Sequence, residues 1–160
     1  MLQPIGALLL IGASFYLGYH FSVMEGRRVR QSEGFVLLLR HIRAGIVCYA
    51  SPLSEIYAGF ENRALESCGF LPALRAGGFA HALRLCRDRL YIEGEELCCL
   101  AAFAGQVGQG YTAEQTGLCD YTIAEMEQAL RRRQEEAPRR ARAARSLTVC
   151  GGLMLLLLLL

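Results

Sequence analysis

The chain has 160 residues and a net charge of +2, so as a whole it is no polycation, and its basic residues are all arginine. The absence of lysine excludes a Walker A loop, which sets a lysine on nucleotide phosphates, and Schiff-base chemistry, which needs the lysine amine. The middle of the chain is long enough to bury a core without disulfide or metal staples.

Residues 5–23 carry no formal charge and hold His20 as their ionisable group; Arg27, Arg28 and Arg30 follow at once. A helix rises about 1.5 Å per residue against a bilayer core of about 30 Å, so this stretch is nearly long enough to span. A secretory signal peptide is the competing reading. Against it, residues 1–4 include no basic side chain, no small-x-small cleavage site precedes the polar region, and the charges follow the apolar run. A permanent N-terminal transmembrane helix over 5–23 is expected. Positive charge beside a membrane segment stays cytoplasmic, which sets the middle of the chain in the cytoplasm.

Residues 27–130 read as helices throughout, with apolar side chains recurring at steps of three and four. Phe35, Leu39, Ile42, Ile46 and Tyr49 make the first stripe. Ser51-Pro52-Leu53 interrupts it, and Pro52 is placed to open a helix carrying Leu53, Tyr57, Phe60 and Ala64. Cys68-Gly69 and Leu71-Pro72 mark a break, and Gly77-Gly78 a second, before Phe79, Leu83, Cys86 and Leu90. Glu93-Gly94 makes a corner ahead of Leu97, Leu100, Ala104 and Val107. A glycine-rich turn over 105–110 leads to Thr112, which pairs with Gln115 as a capping box for the last helix. That helix carries Cys119, Ile123, Met126 and Leu130. No period-two alternation and no Asn-Gly hairpin occurs. The expected fold is all-α, a compact antiparallel helical bundle flanked by N- and C-terminal membrane segments.

From Arg131 onward both faces of the last helix are charged, so residues 131–146 read as a basic stalk, with Pro138 expected to kink it or start a new segment. Arg131, Arg132, Arg133, Arg139, Arg140, Arg142 and Arg145 are the candidate partner- or lipid-facing residues. Anionic lipid headgroups and a protein docking surface both suit them. Nucleic acid does not, because no aromatic side chain is interleaved for base stacking. Residues 147–160 end as a leucine run, which is short for a span; tilt, thinning or arginine snorkelling would let it cross.

Chemistry-bearing constellations are missing. The seven cysteines contain no Cys-x-x-Cys pair, Cys98 and Cys99 are adjacent, and His20, His41 and His81 are scattered, so neither a metal nor a cofactor site is expected. Cys119 sits on an apolar stripe as a small hydrophobe, and Cys150 is a candidate for lipidation. A cytoplasmic setting keeps the thiols reduced. Glu95-Glu96 and Glu135-Glu136 are adjacent pairs that point to different sides of a helix and read as solvated. The 105–110 glycines lack the preceding strand and the spacing of a dinucleotide loop. No enzymatic activity is expected.

Read in order, the chain resembles the stage III sporulation protein AB family of endospore-forming bacteria. The resemblance rests on Gly6, Gly12 and Gly18 in the N-terminal span and the basic residues after it. It continues through Ser51-Pro52-Leu53 at the end of the first helix, Val107-Gly108 with Gln115 seven residues after the glycine, the charged stalk, and Gly151-Gly152 before the leucines. Two features depart from the family: Tyr111 stands where an acidic residue is usual, and the stalk is arginine only. The resemblance implies a domain similar to the F platform protein of type II secretion and type IV pilus systems. It further implies a non-catalytic scaffold in the cell membrane, its central domain on the mother-cell side, within the channel complex joining mother cell to forespore. The implied partners are an AA-type secretion ATPase and other membrane proteins of that complex. A general membrane-tethered adaptor, an F-type platform of another secretion or pilus system, and an enzyme acting on membrane substrates are the alternatives.

Overall fold

The computed structural model describes the backbone of residues 3–49 and 52–159 and the side chains of residues 23–48 and 52–135. Six α-helices follow in order among these residues: α1 (Gln3–Ala44), α2 (Leu53–Ala58), α3 (Arg63–Ser67), α4 (Phe70–Leu85), α5 (Glu95–Gln106) and α6 (Thr112–Leu159). A π-helical turn, Gly45–Tyr49, ends α1, and a 3-10 turn, Arg87–Arg89, follows α4. No strand occurs among the described residues, so the all-helical expectation holds. By its contacts the chain divides into a unit of Arg27–Arg132 and a second unit of Met1–Gly26 with Arg133–Leu160.

Local chemistry sets the boundaries of the short helices. Pro52 precedes α2 in an extended conformation and its carbonyl accepts from the Glu55 and Ile56 amides. Asn62 caps α3, its Oδ1 accepting from the amides of Ala64 (3.0 Å) and Leu65 (3.2 Å). Gly69, at φ +82°, turns the chain from α3 into α4 in a conformation that costs other residues roughly 1–2 kcal/mol. The break expected around Cys68-Gly69 and Leu71-Pro72 falls at Cys68-Gly69. Pro72 lies in the first turn of α4, where its missing donor has no intrahelical partner to lose. The break at Gly77-Gly78 is real: Gly78 has φ +79° and ψ −179°, and it kinks α4 between Phe70 and Phe79.

The core of the Arg27–Arg132 unit is organised by four phenylalanines. Phe35 of α1 meets Phe70 edge-on at 4.8 Å, Phe70 meets Phe79 at 5.5 Å, and Phe79 meets Phe103 of α5 at 5.0 Å. Each ring is at least 98% buried, and edge-to-face pairs add about 0.5–1.5 kcal/mol beyond their burial. Leu38, Leu39, Ile42, Leu65, Leu71, Leu74, Ile92, Leu100 and Met126 fill the space around them. On α5 the buried stripe is Glu96, Leu100 and Phe103, one step off the expected one. Leu97, Ala104 and Val107 are only partly covered.

The turn between α5 and α6 is held by one side chain. Gln115, 7% exposed, accepts from the Gly108 amide (2.9 Å) and donates to the carbonyls of Gln106 (3.1 Å) and Gln109. The expected Thr112–Gln115 box is replaced by half of one, a residue earlier. Glu114 accepts from the Tyr111 amide at 3.3 Å, and Gln115 is thereby left to lock the preceding turn. Gly108, at φ +84°, also lies where a Cβ would stand 3.0 Å from Leu53.

Two expectations about the long helices change. The N-terminal segment and the first stripe lie on one helix, because α1 runs unbroken from Gln3 to Ala44. α6 likewise runs through Pro138, which starts no new segment. The two expected membrane segments, 5–23 and 147–160, lie almost wholly outside the residues whose side chains are described. Among the described residues no helix is long and apolar enough to cross a membrane.

Phe70→Ala removes a ring that bridges two others and should lower unfolding stability by about 3–5 kcal/mol, whereas Gly78→Ala should cost about 1–2 kcal/mol through backbone strain alone. Denaturant titration of the chain in mild detergent, followed by far-UV circular dichroism, checks both.

Candidate functional site

The arginines that follow the N-terminal apolar stretch are placed by the extended linker between the 3-10 turn and α5. Along this linker side chains alternate: Leu90 (8% exposed) and Ile92 (2%) point into the core, while Tyr91 and Glu93 point outward. Arg28 Nη2 donates to Glu93 Oε2 at 2.7 Å. Arg27 Nη1 donates to the Tyr91 hydroxyl at 3.1 Å, and its guanidinium carbon lies 6.0 Å from the centre of the same ring, within cation–π range.

Beneath these surface contacts is a buried polar layer. Gln31, 4% exposed, clamps the linker backbone on both sides of Leu90: its Oε1 accepts from the Tyr91 amide (2.7 Å) and its Nε2 donates to the Arg89 carbonyl (3.4 Å). Ser32, fully buried, donates to Glu96 Oε1 at 3.0 Å. Glu96 is itself 2% exposed in the first turn of α5, where the helix dipole favours a carboxylate. This corrects the expectation of two solvated glutamates. Glu95 is solvated and Glu96 is not, because adjacent helical positions face about 100° apart and only one meets α1.

The stalk arginines that are described turn toward the unit's own carboxylates. Arg131 Nη2 lies 3.5 Å from Glu127, and Arg132 Nη1 lies 3.6 Å from Glu95. Arg133 is half-buried, and Arg139, Arg140, Arg142 and Arg145 fall outside the described side chains. Arg30 is exposed on α1. Arg28 and Arg132, far apart in sequence, therefore meet carboxylates two positions apart, Glu93 and Glu95. The chain enters and leaves the Arg27–Arg132 unit at the same end.

Farther along, α1 and α6 are cross-linked by shorter pairs. Arg40 reaches Glu127 at 2.5 Å, and Arg43 forks onto Asp120 at 2.5 and 3.2 Å. The hydrogen bond that Arg43 donates to Asp120, together with the charge of that carboxylate, holds its guanidinium above its ordinary pKa. Glu127 thus serves Arg40 and Arg131 together. Exposed pairs of this kind contribute about 0–1 kcal/mol each, so they set register more than stability.

The two described histidines have structural surroundings. His41 Nε2 donates to the Ile56 carbonyl at 3.0 Å and its ring lies against Phe60. His81 is exposed, packed along Gly77. Among the described residues no group of three or more histidine, cysteine, aspartate or glutamate side chains is arranged to hold a metal ion. Burial pushes up the thiol pKa of Cys68, Cys86 and Cys99, and with help from Asp120 takes Cys119 to about 11. Tyr57 is pushed up to about 12, again chiefly by burial.

Tyr91 and the Gln31–Ser32 pair were not singled out by sequence reasoning, which read Glu93 only as part of a corner and Glu95 only as a solvated residue. One signal was available: Gln31 stands four residues before Phe35 on the same apolar stripe, and a polar side chain there points to a buried hydrogen bond.

A family model described as stage III sporulation protein AB matches residues 75–160, more than half of the chain. The matched span begins inside α4 and takes in the linker, the α5–α6 turn locked by Gln115, and all of α6. No curated protein and no solved structure matches the chain.

The raised thiols yield a reactivity order. Under native conditions at pH 8, exposed Cys48 and Cys98 should alkylate first, while Cys68, Cys86 and Cys119 should react only on unfolding; peptide mapping after iodoacetamide checks this. The linkage has a definite sign. The unfolded Cys119 thiol ionises from 9.0 upward while the folded one holds its proton to about 11, so stability falls as pH rises across that interval.

Proposed function

We propose a role from one premise: the chain belongs to the stage III sporulation protein AB family. Membership gives it a sporulation-related role. Within that role we read it as a non-catalytic platform of the membrane complex between mother cell and forespore, coupling a cytoplasmic AA-type ATPase to the embedded machinery. Residues 5–23 and 147–160 serve as the membrane segments, and the Arg27–Arg132 unit serves as the cytoplasmic body.

The observation that supports this most directly is the convergence of Arg28 and Arg132 on Glu93 and Glu95. A body attached to a membrane through both of its ends needs its entry and exit on one side, and this linker supplies that. Basic residues at both crossings suit the cytoplasmic face. Lacking a lysine, the chain has no P-loop of its own, so nucleotide-driven work falls to the partner. Arg131, Arg132 and Arg133 are the docking residues in this reading. The pairs described for Arg131 and Arg132 are long and exposed, hence easily exchanged for carboxylates of a partner. A general membrane-tethered adaptor would share this layout and differ in its partner.

The test is binding of the ATPase to the full chain reconstituted in nanodiscs, with and without nucleotide. Saturable binding is expected, weakened about tenfold by Arg131→Gln, Arg132→Gln and Arg133→Gln together, because exposed arginine–carboxylate pairs contribute up to about 1 kcal/mol each. Glutamine is preferable to charge reversal, which would set new carboxylates against Glu127 and Glu95 and disturb the unit itself. Absence of binding at tens of micromolar would sink the ATPase coupling and leave an adaptor.

A further inference from the structure

We infer that Arg27, Arg28 and Tyr91 form a headgroup site for an anionic phosphodiester lipid, with Glu93 as its built-in competitor. The site is distinct from the stalk, and of the proposed function it uses only the placement of residue 27 beside the membrane.

Three observations carry it. First, Arg27 stands four residues after the apolar stretch 5–23, about 6 Å of helix, so an arginine side chain there reaches the headgroup layer. Arg132, by contrast, stands fifteen positions before residue 147 in the sequence. Second, the two guanidinium groups are held in place. Arg27 is oriented by the Tyr91 hydroxyl and ring, and Tyr91 is fixed by Gln31 gripping its amide. A tyrosine with an apolar body and a polar tip belongs at a membrane interface. Third, the counter-charge is loosely attached. The Glu93 side chain is 76% exposed while Arg28 is 23% exposed, so the carboxylate can swing into solvent while the guanidinium stays put.

A phosphodiester has one negative charge and two non-bridging oxygens, a good match for a guanidinium fork. It would replace Glu93 on Arg28 and add a contact to Arg27, with no bond made or broken. Glu93 then sets a threshold: in a neutral bilayer it neutralises Arg28, and in an anionic one it is displaced. Removing the carboxylate should therefore strengthen lipid binding, the opposite of what a purely structural ion pair predicts.

The test uses the full chain purified in neutral detergent and titrated with phosphatidylglycerol, phosphatidylcholine or inorganic phosphate, with bound molecules counted by native mass spectrometry. Phosphatidylglycerol should be retained in preference to phosphatidylcholine. Arg27→Gln and Arg28→Gln should each lower its affinity roughly fivefold, as expected for a headgroup-facing arginine. Glu93→Gln should raise it several-fold, and Arg132→Gln should leave it unchanged. Circular dichroism of each variant guards against misfolding, and Arg27→Gln, at an exposed side chain, keeps the test sound should Arg28→Gln unfold. Equal retention of both lipids, no gain with Glu93→Gln, or a loss with Arg132→Gln matching that with Arg28→Gln would overturn the site. Displacement of the lipid by low millimolar inorganic phosphate would reassign it to a free anion. Carbonate extraction of membranes separates the two levels: a chain that washes off lacks the membrane placement itself, whereas one that resists extraction but shows no headgroup preference loses only this inference.

Discussion

The edge-to-face run Phe35–Phe70–Phe79–Phe103 is the constraint on which the rest of the helical unit depends. It ties α1 to α5 through both halves of α4, and it works only because Gly78 bends α4 between its two rings. A straight helix would place residues nine positions apart 13 to 14 Å apart along its axis, roughly, with no ring contact possible. The bend brings the two rings to 5.5 Å and folds the second half of α4 back under the first. Packing at this density leaves little freedom in how α1 slides along α5.

That fixed register explains the polar layer next to it. One turn before Phe35, α1 presents Gln31 and Ser32, and these meet the linker backbone and Glu96 at hydrogen-bond distance. A slip of one residue would leave a glutamine, a serine and a carboxylate buried without these bonds, at about 1–3 kcal/mol each. The polar pairs therefore act as a check on the register that the phenylalanines set. The same register carries Arg27 and Arg28 to Tyr91 and Glu93 one turn farther along.

The arginine–carboxylate pairs of the unit are not equally tight. The pairs at its middle, Arg40–Glu127 and Arg43–Asp120, are short and bind α1 to α6. Toward the end where the chain enters and leaves, the pairs of Arg131 and Arg132 lengthen to 3.5 and 3.6 Å and their arginines are more than half exposed. Arginines held weakly by their own protein are the ones most readily transferred to another anion. The docking proposal rests on these weak pairs, whereas the lipid site rests on a firmly held Arg28 whose carboxylate partner, Glu93, is exposed.

Much of the architecture was legible in the residues. The all-helical class followed from the spacing of apolar side chains, the break at Gly78 from a glycine pair, and the role of Pro52 from local chemistry that acts within four residues. The family resemblance was carried by short patterns in order, and one of them, Gly108 with Gln115, is a hydrogen bond in the structure. What the sequence could not decide was long-range. Pro72 as a helix starter, Glu96 as a buried carboxylate, and the unbroken course of α6 through Pro138 depend on neighbours or on backbone continuity beyond a local window. The meeting of Arg28 with Glu93 spans sixty-five positions. By itself the sequence determined which segments are helical and where the positive charge lies, because propensity and periodicity are local properties of the chain. Only the tertiary structure decided which carboxylate each arginine meets, because that depends on how four phenylalanine rings set the register of distant helices.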